Sequence, residues 1–520
     1  MSAASSGDIV RAPVLSLLTV ACIALGSAGL VEALRPTVTQ SHDEFSYLLT
    51  ADTLLRGRLA NATHPMWPHF ESPHVMHQPS YVSKYPPLQG VVLAVGLVLG
   101  DPRIGAALSF ALACAMTCWM LRAWIDERWA FVGSLVLAVH PQLVALWGNW
   151  LWGGGGAMLG GALVYGAVPR LGSRSRIRDG IALGLGVGLL ALSRPYEGAV
   201  ACVPAAALLV HGWLAKSPSR RRVSLAKGLL PIAIVISGFV AFIGHYNQRT
   251  TGDPFNLTYS VYDETYAAVP ALILLPPYPA KRYHHRVLAD FYGGRAHNAQ
   301  YHWRRADLAG YAGGVAKKFY AYSRFFTLYG LGCVFFALPF AWRDPGVRFA
   351  VASCGLFALA LSIETHEFGH YAAPIVPIAT FLFTACLRRL WGMRALGIPA
   401  GPLLATLLLG FAMVEHLSVL DERLLRREES PLVERPGVIA DLEGKGGRHL
   451  VVVRYADDHD VHREWVYNDA DIDSAAVTWA REMAPTHNER LLRYFSDRTA
   501  WLLTPDAEKI GPFPYTPRPE

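Results

Sequence analysis

Long apolar runs, separated by short polar loops, occupy most of the chain. The first run extends from Val14 to Leu34. The others lie at 104–121, 129–147, 153–169, 180–194, 198–215, 228–246, 324–341, 347–363, 371–387 and 396–415. A helix needs roughly 20 apolar residues to cross the hydrocarbon core of a bilayer. The pattern therefore predicts a mainly α-helical, polytopic membrane protein with about eleven transmembrane helices.

One further apolar segment, 88–100, is shorter than these, and the charges of the loops decide its place. If it does not cross, the basic clusters all lie on the cytoplasmic side, as the positive-inside rule favours. Those clusters are at 122–128, 170–178, 216–227, 343–348 and 388–394. If it does cross, the richest basic loops move outside. We therefore predict a half-inserted or surface helix at 88–100.

This topology divides the chain into a transmembrane domain, 1–416, and a C-terminal domain, 417–520, outside the cytoplasm. The transmembrane domain carries two large outer loops, 35–103 and 247–322. Since these loops and the C-terminal domain share one side of the membrane, we expect the functional site where they meet.

The C-terminal segment has the pattern of a small α/β domain. Apolar runs predict buried strands at Leu450–Val453 and Ala500–Leu503. Helices are predicted at Ser474–Met483 and in a segment that ends near Tyr494. About 100 residues suffice for such a domain.

Composition and charge agree with this topology. The chain is 52% hydrophobic and 17% charged, with a net charge of +7. Because the basic residues concentrate in the predicted cytoplasmic loops, this charge indicates topology and needs no nucleic-acid partner. All seven cysteines lie in predicted membrane helices, and none has the paired spacing of a zinc or redox site.

Two adjacent carboxylates, Asp43 and Glu44, follow the first membrane helix. Ser41 and Glu44 have the spacing of a capping box, which begins a helix, so Glu44 has a structural task. Asp43 has none of that kind. A carboxylate in the first turn is stabilised as an anion by the helix dipole and could accept a proton. Both are candidate catalytic residues.

The same loop returns to the membrane through Tyr81 and Lys84, just before Pro86 and Pro87. The prolines predict an extended backbone that holds Lys84 at the membrane interface. A compact ammonium group there suits a phosphate oxygen. Lys84 and Tyr81 are therefore candidates for substrate binding, and a lysine that contacts lipid headgroups is the alternative.

An acidic pair after the first helix, followed by a lysine close before Pro-Pro-Leu, resembles the bacterial aminoarabinose transferases and the protein O-mannosyltransferases. The resemblance implies a GT-C-like fold in the bacterial inner membrane. It also implies transfer of a sugar from a polyprenyl-phosphate donor to an acceptor hydroxyl on the outer face. In that mechanism Asp43 is the base, and a single displacement inverts the anomeric carbon. The acceptor would be a lipid, a glycan or a protein.

Two other classes of function remain open. The first is a transporter or flippase of lipid-linked sugars, which predicts ionisable residues near the bilayer midplane. Most ionisable residues here lie instead at helix ends or in loops. The second is a non-catalytic scaffold whose outer domain binds a glycan or a protein.

Further polar residues at predicted outer helix ends are candidates for substrate binding. Arg194 is the single basic residue in the short outer loops, and a charge without a topological role indicates function. A headgroup contact is the alternative. The loop after the predicted helix 347–363 adds residues that bind donor phosphate, acceptor or a metal, or are simply solvated. These are His366, Glu367, His370 and Tyr371.

Histidines are frequent in the first outer loop. They are His64, His69, His74 and His77. A divalent cation such as zinc is therefore an alternative cofactor. The spacing of these histidines matches no strong metal-binding signature, and the sequence requires no other cofactor.

Overall fold

The computed structural model describes residues 6–34, 38–326, 328–366, 368–394, 397–427, 434–507 and 510–516. Helices dominate the part before residue 428. In chain order they are α1 (Ser6–Leu34), α2 (His42–Leu55), α3 (Leu88–Val98), α4 (Pro102–Leu121), α5 (Glu127–Ala138), α6 (Pro141–Gly148), α7 (Gly155–Ser173), α8 (Ile177–Ala191), α9 (Pro195–Leu214), α10 (Pro218–Ser224), α11 (Leu230–Thr251), α12 (Thr258–Tyr266), α13 (Arg286–Gly293), α14 (Arg295–Ala306), α15 (Leu308–Phe325), α16 (Leu328–Ala341), α17 (Pro345–Ser362), α18 (Val376–Trp391) and α19 (Ala400–Arg427).

Six stretches of helix in the described part are long and apolar enough to cross a membrane. They are Val14–Leu34, Pro102–Leu121, Pro195–Leu214, Pro218–Thr251, Pro345–Ser362 and Gly369–Trp391. A seventh span results if α5 and α6 are counted together. The chain is thus an integral membrane protein by its apolar helices, and the number of eleven spans stays a prediction.

Two predicted spans are interrupted, which corrects the continuous helices expected at 129–147 and 324–341. The first is bent by 64° between α5 and α6. Pro141 begins α6 there, and a proline cannot donate the backbone hydrogen bond that would continue α5. The second predicted span falls on two helices, because α15 ends at Phe325 and α16 begins at Leu328.

The segment predicted as a short helix at 88–100 forms α3, with 11 residues. At 1.5 Å per residue this helix is about 16 Å long, about half the hydrocarbon thickness. It packs closely on α4, since a Cβ added at Gly105 would lie 2.0 Å from the carbonyl oxygen of Val92. Small residues of this kind let membrane helices approach each other.

The first outer loop folds into α2 and a three-stranded antiparallel sheet. Its strands are β1 (Asn61–Ala62), β2 (Val75–Met76) and β3 (Ser80–Ser83), in the order β1-β3-β2. The loop is thus an ordered layer over the membrane helices, and β3 ends directly before Lys84.

The C-terminal segment contains a four-stranded sheet and two helices. These elements are α20 (Arg435–Gly444), β4 (His449–Val453), β5 (Val477–Arg481), α21 (Pro485–Tyr494), β6 (Thr499–Leu503) and β7 (Phe513–Pro514). The sheet order is β5-β4-β6-β7, with β4 parallel to β5 and β6. The predicted strands at 450–453 and 500–503 are present. The helix predicted at Ser474–Met483 is wrong, because Val477–Arg481 pairs with β4 as a strand.

An apolar cluster joins this sheet to the first outer loop. Leu49, Phe70, Val75 and Tyr81 of the loop are buried in it. The residues that the C-terminal segment contributes are Leu450, Val452, Tyr467, Ala470, Ile472, Ala480, Leu491 and Phe495. Because both sides lose apolar surface from water, the C-terminal sheet and the outer loop are held as one packed unit.

Candidate active site

A cavity of about 750 Å³ lies where the ends of several helices meet the first loop and the C-terminal segment. Its walls come from the start of α2, the segment between β3 and α3, the loop before α7, the start of α9, and helices α12 and α13. A loop after α17 and a loop after β4 complete it. Apart from histidines, the ionisable acids and bases in this lining are Asp43, Glu44, Lys84, Arg194, Asp263, Asp460 and Arg463. This volume is typical of ligand-binding cavities.

Asp43 lies in the first turn of α2 and is half-buried. The Tyr85 hydroxyl donates a hydrogen bond to Asp43 Oδ1. Burial raises the pKa of Tyr85 well above its usual value, so Tyr85 stays a donor at neutral pH. Tyr85 is itself held by stacking on Tyr47, with ring centroids 4.6 Å apart. The Asp43 carboxylate is therefore oriented and faces the cavity.

Glu44 is 3% exposed and its carboxylate is occupied by backbone groups. Its Oε2 accepts hydrogen bonds from the backbone N–H groups of Gln40 (2.9 Å) and Ser41 (3.1 Å), and Oε1 accepts one from Leu151 (3.2 Å). The predicted capping box is present, since the Ser41 side chain accepts from the Glu44 N–H. Glu44 thus connects the start of α2 to the loop before α7.

That loop brings two tryptophans into the cavity wall. The Trp152 indole N–H donates to Ser41 Oγ at 2.5 Å, and Trp150 packs edge-on against Trp152 at 4.9 Å. Gly154 ends the loop at a φ of +136°, and a Cβ there would lie 2.5 Å from the Trp147 ring. Only glycine meets both conditions.

Lys84 is half-buried, directly after β3. Its Nζ lies 5.0 Å from the ring centroids of both Tyr85 and Tyr262, within the range of cation–π contacts. Burial lowers the pKa of Lys84, and the carboxylates of Asp263 and Asp43 oppose that shift. The ammonium group is therefore partly desolvated, while nearby acids favour its charged form, and it lines a cavity where it could meet an anion.

Arg194 directly precedes α9 and also lines the cavity. Its Nη1 is 3.7 Å from Glu197 Oε1, and its guanidinium lies 4.8 Å from the Tyr371 ring centroid. The Arg194 and Glu197 side chains are 11% and 9% exposed. A buried guanidinium retains its charge, so this wall is cationic.

A second buried group of charges fixes the loop after α17. Lys318 Nζ donates to the carbonyl oxygens of Leu361 (2.8 Å) and Glu364 (3.0 Å), and Arg304 Nη1 donates to Glu364 O at 2.6 Å. Burial, followed by the charge of Glu197, raises the pKa of Glu364 to about 8. These contacts hold the loop that carries His366.

The predicted residues of that loop are mostly brought to the cavity. His366, His370 and Tyr371 line it, and His370 stacks on Phe368 with ring centroids 5.6 Å apart. Glu367 lies outside the described residues. The structure does not bring Tyr81 to this cavity: Tyr81 is 4% exposed, and its hydroxyl donates to the Asn468 carbonyl oxygen at 2.8 Å.

The histidines of the first outer loop lie in different surroundings and do not converge on one point. His64 hydrogen-bonds Asp473 (3.1 Å), His69 hydrogen-bonds the Arg481 carbonyl oxygen (2.9 Å), and burial lowers the pKa of His77 to about 3. Across the described ranges, no three His, Cys, Asp or Glu side chains come together as a metal site requires. The histidines of this loop therefore do not form a set of metal ligands in the described structure.

Several lining residues were not predicted from the sequence. Asp263, Tyr259 and Tyr262 come from α12, whose dense tyrosines in an outer loop were an available signal. Burial raises the pKa of Asp263, and nearby Lys84 lowers it. Aromatic residues with one acid on a short amphipathic helix are typical of a cavity wall.

The C-terminal segment also contributes to the lining. Asp460, His462 and Arg463 line the cavity from the loop after β4. No short motif marks these residues, so only the packing of the sheet on the outer loop reveals them.

The helical membrane region, the ordered first loop and the C-terminal segment together form a fold that is also found in a solved structure. The chain is similar to ArnT from Cupriavidus metallidurans, whose crystal structure contains undecaprenyl phosphate. That similarity covers 96% of this chain and 93% of ArnT, with a TM-score of 0.51 and 14% identity.

A second similar structure is the archaeal oligosaccharyltransferase AglB from Archaeoglobus fulgidus, in complex with an inhibitory peptide and a dolichol-phosphate. The similarity covers 84% of this chain and 62% of AglB, with a TM-score of 0.40 and 11% identity. No family model and no curated protein sequence matches the chain.

Proposed function

We propose that this protein is a glycosyltransferase that moves a sugar from a polyprenyl-phosphate donor to an acceptor hydroxyl on the outer face of a bacterial inner membrane. One observation carries the proposal: a candidate base, Asp43, and two cations, Lys84 and Arg194, line the same cavity at the outer helix ends. An apolar carrier chain needs membrane helices, whereas its phosphate needs cations at their ends. Lys84 and Arg194 line the cavity close to the starts of apolar helices, so the phosphate and the carrier chain could both be held there.

In the proposed reaction Asp43 accepts the proton of the acceptor hydroxyl. The acceptor oxygen attacks the anomeric carbon as the bond from that carbon to the phosphate oxygen breaks. The electron pair stays on the departing polyprenyl phosphate, and Lys84 and Arg194 meet its charge. A single displacement inverts the anomeric centre. Tyr85, which donates to Asp43, holds the base in position.

Glu44 has a positioning role in this scheme. Its carboxylate accepts hydrogen bonds from three backbone N–H groups and so connects α2 to the loop that carries Trp150 and Trp152. It does not exchange a proton in the reaction that we propose.

The test uses the purified full-length protein in lipid nanodiscs with a radiolabelled polyprenyl-phosphate sugar and a cell-envelope extract as the acceptor source. We expect label to leave the carrier and enter a new product. Asp43→Asn should lower this transfer by about 10² to 10⁴. Asp441→Asn is a matched control, because Asp441 is exposed on α20 and lies outside the cavity lining.

The same experiment in sealed vesicles separates the alternative functions. Movement of intact donor across the vesicle membrane without product would support a transporter or flippase. Donor binding with neither product nor movement would support a scaffold.

A further inference from the structure

The cavity has two chemically different walls. The wall toward the membrane is formed by Lys84, Arg194 and Tyr371, which lie at or near the ends of membrane helices. A second wall comes from Phe291 of α13 and from the loop between β4 and β5, which are not among the apolar helices. A donor held by its lipid chain occupies the first wall, so the second wall is left for the acceptor.

The loop between β4 and β5 presents three polar side chains to this cavity. The Asp460 carboxylate lies 3.4 Å from Arg463 Nε and accepts a hydrogen bond from the backbone N–H of His462 at 3.0 Å. The His462 ring lies edge-on to Phe291, with centroids 5.8 Å apart. All three polar residues are exposed, so their side chains are not needed for packing.

The loop is held next to the candidate base. The Tyr467 hydroxyl and His42 Nδ1 share a hydrogen bond of 2.6 Å, and Tyr467 stacks on Phe45 with centroids 4.2 Å apart. His42 and Phe45 flank Asp43 and Glu44 on α2. The His462 ring also lies 6.0 Å from the His42 ring. The C-terminal sheet and Asp43 therefore keep a defined separation.

We propose that the loop between β4 and β5 binds the acceptor, and that Asp460, His462 and Arg463 select an acceptor rich in hydroxyl groups. This inference rests on the proposed glycosyltransferase function. A carboxylate, an imidazole and a guanidinium together offer both acceptors and donors, which matches hydroxyl groups. The adjacent Phe291 ring provides an apolar face for a sugar ring. An apolar alcohol would gain no hydrogen bonds from these polar groups beyond the one that its own hydroxyl makes.

The experiment compares two readouts on the full-length protein in nanodiscs. Hydrolysis of labelled polyprenyl-phosphate sugar without any added acceptor reports the donor side. Transfer to a methyl hexopyranoside, compared with transfer to 1-octanol, reports the acceptor side. The test variant is His462→Ala/Arg463→Ala. The matched control is His487→Ala/Arg490→Ala, which removes the same two side-chain types from exposed positions on α21.

We expect the unmodified protein to favour the hexopyranoside over octanol. The test variant should lose about tenfold in transfer to the hexopyranoside, as expected for two lost hydrogen bonds, while donor hydrolysis changes less than about twofold. The control variant should match the unmodified protein in both readouts, and both variants should keep its melting temperature.

Equal loss of hydrolysis and transfer in a folded test variant would place these residues outside acceptor binding. Unchanged transfer in that variant would overturn the inference, as would donor hydrolysis by the unmodified protein with a preference for octanol or with no transfer to the hexopyranoside. Neither hydrolysis nor transfer by the unmodified protein would instead overturn the proposed function, and this inference with it.

Discussion

Asp43 and Glu44 are neighbours in the chain but have different surroundings. Glu44 is enclosed and accepts three backbone N–H groups, whereas Asp43 is half-buried and accepts a hydrogen bond from one phenol. A base needs a free lone pair in the cavity. The Asp43 carboxylate meets this need better than the Glu44 carboxylate does.

The first prediction separates the two carboxylates. Asp43→Asn keeps the shape of the side chain but cannot accept a proton, so transfer should fall by about 10² to 10⁴ with little change in melting temperature. Glu44→Gln keeps one oxygen acceptor for three N–H groups. It should lower the free energy of unfolding by about 1 to 3 kcal/mol and leave part of the activity. Transfer assays and thermal melts on both variants measure these effects.

The opposite result would reassign the base. If Glu44→Gln folds normally and is inactive while Asp43→Asn is active, Glu44 is the catalytic residue. Full activity in both variants would show that neither carboxylate acts as the base.

The second prediction concerns the pH dependence of donor binding. Burial lowers the pKa of Lys84, so its ammonium is lost at lower pH than that of an ordinary lysine. Donor affinity should therefore be highest below this pKa and fall as the pH rises through it. The arginine of Lys84→Arg stays charged throughout the alkaline range, so in this variant donor affinity should be lost only at higher pH. Binding of labelled donor between about pH 6 and pH 11 measures the shift.

Other groups near Lys84 do not produce the same profile. Burial raises the pKa values of Tyr85 and Tyr259 well above the ordinary value, so these phenols ionise after Lys84. Burial raises the pKa of Asp263, and the Asp263 carboxylate in turn opposes the lowering of the Lys84 pKa. An alkaline limb that is identical in Lys84→Arg and the unmodified protein would exclude Lys84 as the group that titrates.

Among the elements, those with strong local signals were predictable from the sequence. The capping box at Ser41 and Glu44 gave the start of α2, and the valine-rich run gave β4. The apolar pattern of 474–483 fits the period of a helix as well as that of a strand, so it predicts the wrong element. What makes Val477–Arg481 a strand is its pairing with β4, which is distant in sequence. Val477, Thr478 and Trp479 favour a strand by residue type, and this preference was the better guide.

Site residues were predictable from the sequence only where an ionisable side chain lies near the end of a predicted membrane helix. Asp43, Lys84 and Arg194 lie near predicted helix ends, so the topology brought them to one side of the membrane. Asp263 and His462 reach the cavity through tertiary packing of α12 and the C-terminal sheet. The dense tyrosines of α12 are a local signal for the first contact, whereas no short motif marks His462.

The third prediction concerns the contact between α7 and the 3₁₀ turn Gly369–Ile375, which carries His370 and Tyr371. A Cβ at Gly161 of α7 would lie 2.1 Å from the Pro374 carbonyl oxygen. Gly161→Ala must therefore displace the turn, and it should lower stability by about 1 to 3 kcal/mol and also reduce transfer. Gly172→Ala on the same helix is the matched control, since nothing lies within 4 Å of its Cβ position.

Thermal melts and donor binding on both glycine variants test this contact. We expect weaker donor binding only in Gly161→Ala, because the displaced Tyr371 ring no longer lies against Arg194. Equal behaviour of the two variants would mean that the turn tolerates the shift without moving the site.

For the whole molecule, the burial pattern and the charge pattern agree. The C-terminal sheet packs on the first outer loop through a buried apolar cluster, so the two must lie on the same side of the membrane. The basic clusters lie in the loops at the opposite helix ends. Two independent properties, packing and loop charge, thus lead to one predicted orientation.

The last prediction tests that orientation. Alkaline phosphatase, which is active only after export, should be active when fused behind the last residue of this chain. It should be inactive when inserted at Arg174, in the basic loop between α7 and α8. Green fluorescent protein, which fluoresces when it folds in the cytoplasm, should give the reverse pattern and controls for expression. Export of the Arg174 fusion with a cytoplasmic C-terminus would turn the cavity toward the cytoplasm. Asp43, Lys84 and Arg194 would then face a donor presented on the inner leaflet, and the outer-face acceptor that we propose could not reach them.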